Sequence, residues 1–298
     1  MRRRFVQVPG GGGERAAASL LRRASGVDLF FVGYGLLVVA LVAVSYLAGT
    51  FRILPLDPDA MDLDLLLAPP GTAGHLLGTD FLGRDILVRL VLGIQAYFLP
   101  GLLAVAVALA PGAALGLLAG YRGGRSETVV TWFMNLVDSF PRLVLILLVI
   151  AAVRPDIWTI MIVVGLTNVP ATASLVRRKV RFLKEKNFIE AAEAIGLPRG
   201  TIVLKHILWH HCRASLIIRA TLGMGEAILI ETSLSYLGFG VQEPVPSWGN
   251  MVQSGANYLL QGNFWPSTAP ALAILFTILG FNLLGDGLNN LLERKASR

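Results

Sequence analysis

The chain has 298 residues, of which 54% are hydrophobic and only 15% charged, and its mean hydropathy is +0.65. A soluble domain carries about 25% charged residues, so the composition excludes a soluble globular protein. One cysteine, Cys212, excludes an internal disulfide, and the net charge of +7 is spread along the chain in a way that fits topology rather than nucleic acid.

Residues 1–28 are basic and rich in small residues, and are expected to form a cytoplasmic tail without structure. A cleaved secretory signal is set aside, because the apolar run that follows is too long and no small-residue cleavage site closes it. That run, 29–48, is the first of six predicted membrane spans; the others are 97–121, 129–153, 157–176, 214–237 and 268–291. Each is near or above the roughly 20 residues a helix needs to cross the hydrocarbon core. Pro100, Pro111, Pro141, Pro170 and Pro270 fall in or near these runs and are read as kinks, since neighbouring helices can satisfy the freed carbonyls.

Between the first two spans, HLLGTDFLGRDILVRLVLG (residues 75–93) alternates acid and base on a short amphipathic segment. Asp80, Arg84 and Asp85 there either pair internally, lie on a solvated face, or contact a partner outside the membrane. In the third span Asp138 and Arg142 stand four apart with the acid first, an order that predicts a pair on one helical face beside Pro141. The fifth span carries Arg219, expected to snorkel to the interface, with Glu226 near mid-membrane and Glu231 nearer the outside. Ionisable residues in spans are costly and default to a functional reading. Asp138, Arg142, Glu226 and Glu231 are therefore the translocation-pathway candidates, with Glu231 reading more readily as interhelical glue. The stretch PVPSWGN and its surroundings offer Trp248 and Trp265 as interfacial anchors. In the sixth span Asn282, Asp286 and Asn290 repeat every four residues and read as a seam that knits helices together. Residues 294–298 end the chain on the same side as the tail.

Orientation follows from lysine and arginine. Twenty of the 26 fall in the tail, the loop after the second span, the segment 177–213 and the C-terminus. Both termini and that segment are thus expected in the cytoplasm.

Residues 177–213 are far longer than a turn needs. A helical pattern with apolar Leu183, Phe188, Ile189, Ala192 and Ile195 is closed by Gly196, and Pro198 suits the first turn of a second helix. Glu190, Glu193 and the small pair Ala191–Ala192 fit a helix that docks in a protein groove better than one lying on lipid headgroups. His206, His210, His211 and Cys212 lack a completing carboxylate or second cysteine, so no metal site is expected. The phosphate-loop pattern G-x-x-x-x-G-K-[ST] does not occur, and no catalytic residue is expected.

The segment EAAEAIG, followed by HILW, resembles the EAA loop of ABC importer permeases, with Glu190, Ala191, Ala192, Gly196 and Leu208 at matching positions and Trp209 replacing the usual proline. The GTDFLGRD stretch, ETSLSYLGFGVQEPVPSWGNMV and FNLLGDGLNNLLE resemble the C-type permease subunits of dipeptide, oligopeptide and nickel importers. The resemblance runs from about residue 29 to 293 and implies an all-α membrane protein with six transmembrane helices in the type I ABC importer permease architecture. It further implies a coupling helix in the loop 177–213 that seats in an ATPase subunit, a permease domain over 29–293, and a place in the bacterial cytoplasmic membrane. The implied partners are a homologous second permease, two ATPase subunits that hold ATP and Mg, and an external substrate-binding protein. No cofactor is implied for this chain itself, and the substrate stays open among dipeptides, longer peptides, nickel chelates and other small solutes. A stand-alone proton-coupled secondary transporter, with Asp138, Glu226 and Glu231 as a relay, is the alternative; no internal inverted repeat speaks for it.

Overall fold

A computed structural model describes residues 12–51, 57–72, 74–152 and 156–296. Among them the regular structure is helical: α1 (Gly12–Thr50), α2 (Ile86–Gly93), α3 (Phe98–Arg122), α4 (Gly124–Asp138), α5 (Arg142–Ala152), α6 (Ile157–Lys184), α7 (Asn187–Ala194), α8 (Arg199–Thr201), α9 (Arg213–Tyr236), α10 (Trp248–Ala256) and α11 (Trp265–Ala296). Four stretches are long and apolar enough to cross a membrane: Gly26–Thr50, Ile86–Arg122, Ile157–Lys184 and Trp265–Leu292. The pair α4–α5 makes a fifth if it counts as one span. The helix α9 is long enough, but Arg219, Glu226 and Glu231 interrupt its apolar run.

The expected tail differs from the fold at one point. Residues 1–11 lie outside the described residues, and from Gly12 onward the backbone is already helical. Alanine, leucine and arginine dominate that stretch and are strong helix formers, so the first helix begins well before residue 29.

In lipid, apolar surface alone does not bring helices together; small residues do, by letting backbones approach. The two most extensively packed helices, α3 and α6, run parallel with a glycine seam. A Cβ on Gly112 would lie 2.6 Å from the Thr172 Cβ, on Gly116 2.6 Å from the Ala173 carbonyl, and on Gly120 2.9 Å from the Arg177 carbonyl. The seam is reciprocated by Gly165, whose Cβ would lie 2.6 Å from the Ala104 carbonyl. α1 packs on α11 in the same manner, where a Cβ on Gly280 would meet Val38 at 2.6 Å. At the start of α6, Asp156 caps the helix by accepting from the Thr159 amide at 2.6 Å.

The third predicted span is a break, not a kink. α4 and α5 meet at 82° across residues 139–141. Pro141 has no N–H and forces the residue before it out of helical geometry, while the Ser139 hydroxyl donates to the Asn135 carbonyl at 2.7 Å and competes for the helical ladder. Pro111, Pro170 and Pro270 sit inside uninterrupted helices.

One end of the bundle is covered by residues 57–97 and 238–264. Trp248 is buried there: its indole donates to the Leu90 carbonyl at 2.8 Å, and its ring meets Tyr97 edge-on at 4.9 Å. Trp265 donates to the Thr79 carbonyl at 3.1 Å. These tryptophans bind the cover to the helices, so Trp248 is a core residue and not an interfacial anchor. The expected polar seam of α11 is met at Asn290, whose amide donates to Asp28 at 3.0 Å.

Candidate functional site

Three charged constellations sit on this frame. At the covered end, Arg84 and Arg89 are both buried. Arg84 donates to Asp80 at 2.7 Å and to Glu243 at 2.9 Å; Arg89 donates to Asp59 at 3.0 Å and to Glu243 at 3.1 Å. Burial alone lowers the Arg84 pKa, but the bonds and charges of Glu243 and Asp80 outweigh it and hold it raised. Asp85 caps α2 by accepting from the Val88 amide at 2.8 Å, and its other oxygen meets His75 Nδ1 at 2.6 Å. These bonds realise the internal pairing that was one of the readings of Asp80, Arg84 and Asp85. Their polar atoms are engaged within the chain, because two desolvated guanidiniums require carboxylates around them.

The second constellation lies in the bundle. The α4–α5 break and the middle of α9 border an open cavity of about 500 Å³ whose lining includes Asp138, Arg142, Thr167, Glu226 and Ser233. Arg142 does not pair with Asp138, since the break takes the two off a common helical face. It reaches across to Glu226 at 3.4 Å instead. Arg219 does not snorkel: it holds the same carboxylate at 3.3 Å and donates to the Asn168 side chain at 2.7 Å. Three of the four pathway candidates thus share one cavity. Glu231 does not join them; it is fully buried and accepts from Ser235 at 2.6 Å and Ser247 at 3.3 Å. Those bonds fasten α9 to the start of α10, the interhelical role expected of Glu231.

The third is a knob at the opposite end, α7 and the segment after it. Gly196 adopts φ +76°. The Leu197 amide donates to Ala192 at 3.1 Å and the Gly196 amide to Glu193 at 3.0 Å, the paired bonds of a Schellman close. Ile189 and Ala192 are buried against Leu183, Ile202 and Ile207, with Leu208 partly buried on the same cluster. Glu190, Ala191 and Gly196 are exposed, and Ile195 stands 76% exposed beside them. Ala192 and Leu208 therefore hold the knob together, while the other matched positions form its free face. The second helix is α8 continued by a π-helical stretch, Ile202–Cys212. Trp209 within it is exposed, and a proline there would remove an N–H that an i→i+5 ladder uses. The knob is tied to the bundle by the Tyr121 hydroxyl at the end of α3, which donates to Glu193 at 3.3 Å, while Lys184 at the end of α6 holds α3 by donating to the Tyr121 carbonyl at 2.9 Å. His206 and His210 stack at 5.8 Å, and among the described residues no set of three or more metal-ligating side chains converges.

Sequence reasoning missed Glu243 and Asn168 as partners. Neither has a helical spacing to the arginine it meets, so no local signal marks either one.

Residues 112–298 match the model of the family described as binding-protein-dependent transport system inner membrane component. The chain is 38% identical to the "Probable D,D-dipeptide transport system permease protein" of Escherichia coli (strain K12), over 80% of each chain. It is 39% identical to the dipeptide transport system permease protein of Alkalihalophilus pseudofirmus, over 75% of this chain and 73% of the relative. It is 36% identical to the di/tripeptide transport system permease protein of Pseudomonas aeruginosa, over 88% and 87%. With its membrane-spanning helices and its charged cavity, the chain belongs to the family of binding-protein-dependent transport system inner membrane components, as a non-catalytic, multi-pass permease subunit of an ABC importer whose ATPase is a separate subunit.

Proposed function

We propose that this chain forms half of the pathway by which a bacterial importer takes up short peptides, and that α7 is the coupling helix through which ATPase subunits drive it. The observation that carries the reading is the knob: an exposed face of Glu190, Ala191, Ile195 and Gly196, fixed to the end of α3 by Tyr121 and packed through Ile189 and Ala192 on Leu183 of α6. A rigid body on that face moves the helix pair with it. The peptide substrate is taken from the names of the three relatives above, each a dipeptide or di/tripeptide permease.

In this reading α9 and the broken α4–α5 pair complete six spans, the knob and both termini are cytoplasmic, and residues 57–97 face outward. A second permease closes the cavity, two ATPase subunits hold ATP and Mg, and an external binding protein delivers the substrate. ATP binding draws the coupling helices together and opens the cavity outward; hydrolysis returns it. The proton-relay alternative is disfavoured, because Glu226 lies between two arginines and Glu231 is sealed from the cavity. The test is Gly196→Trp, expressed with its partner subunits in membrane vesicles. ATP-driven dipeptide uptake is expected to fall at least tenfold, on the order of 1.4 kcal/mol of lost coupling, with the complex still recoverable from the membrane. Undiminished uptake in that variant rules out the coupling role.

A further inference from the structure

We infer, on the reading of this chain as half of a solute pathway, that the cavity wall recognises both termini of a zwitterionic short peptide, Arg142 taking the carboxylate and Asp138 the ammonium group. The two arginines in contact with Glu226 are not equivalent. Arg219 is 13% exposed in its side chain and is held by Asn168 at 2.7 Å as well as by Glu226. Arg142 is 39% exposed and makes one long contact, 3.4 Å, through a single Nη. A guanidinium has five N–H donors in a planar fork, so most of Arg142 is open to the cavity. Glu226 is shared by two arginines, which leaves one guanidinium charge in excess on that side of the cavity, and Asp138 supplies the balancing negative charge on the other. Asp138 is exposed to the same cavity and forms no ion pair among the described residues.

The break explains why both charges stay available. In a continuous helix, Asp138 and Arg142 would neutralise each other as an i,i+4 pair. Pro141 instead leaves Asp138 as the last residue of α4 and Arg142 as the first of α5, with the axes at 82°. A carboxylate arriving at Arg142 can form the paired, charge-assisted bonds that the 3.4 Å contact with Glu226 lacks. It also meets the positive end of α5. The Ser233 hydroxyl donates to the Leu229 carbonyl at 2.6 Å, so its lone pairs remain for a peptide N–H or ammonium group. A volume of about 500 Å³ lies within the usual range for small-molecule sites, about 300–1,000 Å³.

The test uses the assembled transporter in membrane vesicles, with the buried Cys212 replaced by alanine and Ser233→Cys as a reporter on the cavity wall. Labelling by a water-soluble thiosulfonate reagent is timed with alanyl-alanine, its C-terminal amide, or its N-acetyl form in solution. The free dipeptide is expected to slow labelling about tenfold relative to either blocked form, the worth of one charge-assisted contact. Arg142→Gln and Asp138→Asn should each remove that protection, and Arg142→Lys should restore part of it. Equal protection by free and blocked peptides, no protection by any, or protection that survives Arg142→Gln overturns the assignment. A Ser233→Cys thiol that never reacts means that the wall is not wetted, and that result overturns the pathway reading itself.

Discussion

Arg89 and Glu243 are separated by 154 positions in the chain and meet at 3.1 Å, joining α2 to the loop after α9. Glu243 also holds Arg84 at 2.9 Å. One carboxylate from that loop therefore locks two buried guanidiniums, Arg84 just before α2 and Arg89 within it.

This arrangement is asymmetric toward mutation. Glu243→Ala leaves two buried cations short of an acceptor and is expected to cost about 1.5–3 kcal/mol, the range for bonds to charged groups. Arg89→Met should cost less, because the carboxylates it abandons, Asp59 and Glu243, are 41% and 43% exposed and can be rehydrated. Thermal unfolding of the purified transporter in detergent compares the two. A larger loss for Arg89→Met would show that the cluster is held by the cation and not by the shared carboxylate.

The parts of this fold that were legible in sequence are those with a local cause. Apolar runs located α1, α3, α6 and α11, and Gly196 marked the end of α7, because one helix or one turn determines each. The α4–α5 break was not legible. Pro141 looks the same in sequence as Pro111 and Pro170, which sit in unbroken helices, so no local signal separates the cases. The Arg142–Glu226 contact was hidden by the same break, since a helical spacing assigned Arg142 to Asp138. Charges in the covered end were noticed, but their destination depended on Glu243, which only the tertiary fold brings near.

Two glycines in helices give a matched test of the close packing. A Cβ on Gly116 would lie 2.6 Å from the Ala173 carbonyl, a backbone atom that cannot rotate away, whereas one on Gly26 meets nothing within 4 Å. Gly116→Ala should destabilise by about 1–3 kcal/mol through overpacking, and Gly116→Leu should prevent recovery of a folded complex. Gly26→Ala should be neutral or stabilising by up to about 1 kcal/mol, from helix propensity alone. Equal tolerance at both positions would contradict the α3–α6 seam.

The knob should loosen in acid. His211 has its pKa lowered from 6.5 by burial first, then by the positive charges of Lys179, His210 and His206. A histidine that binds its proton more weakly when folded contributes stability above its unfolded value, and that contribution is lost as the pH falls below 6.5 toward the folded value. Amide hydrogen exchange in α7 should accelerate on going from about pH 8 to about pH 5.5, after correction for intrinsic rates, and His211→Gln should flatten the change. Greater protection at the acid end would invert the sign and reject the account.

The two arginines on Glu226 should separate in a double-mutant cycle. Arg219 contacts both carboxylate oxygens, at 3.3 and 3.4 Å, from a largely buried position, while Arg142 contacts one oxygen from an exposed position. Screening by cavity water weakens the second contact more than the first. The Arg219→Gln/Glu226→Gln cycle should give a coupling energy of about 1–3 kcal/mol, and the Arg142→Gln/Glu226→Gln cycle below about 1 kcal/mol. Glu226→Gln alone should be more damaging than Arg142→Gln, because it leaves both cations near each other with no carboxylate between them. Unfolding of the purified transporter supplies all the values. If Arg142 couples as strongly as Arg219, the guanidinium is a structural strut with no donors to spare, and it would not be free to meet a substrate carboxylate.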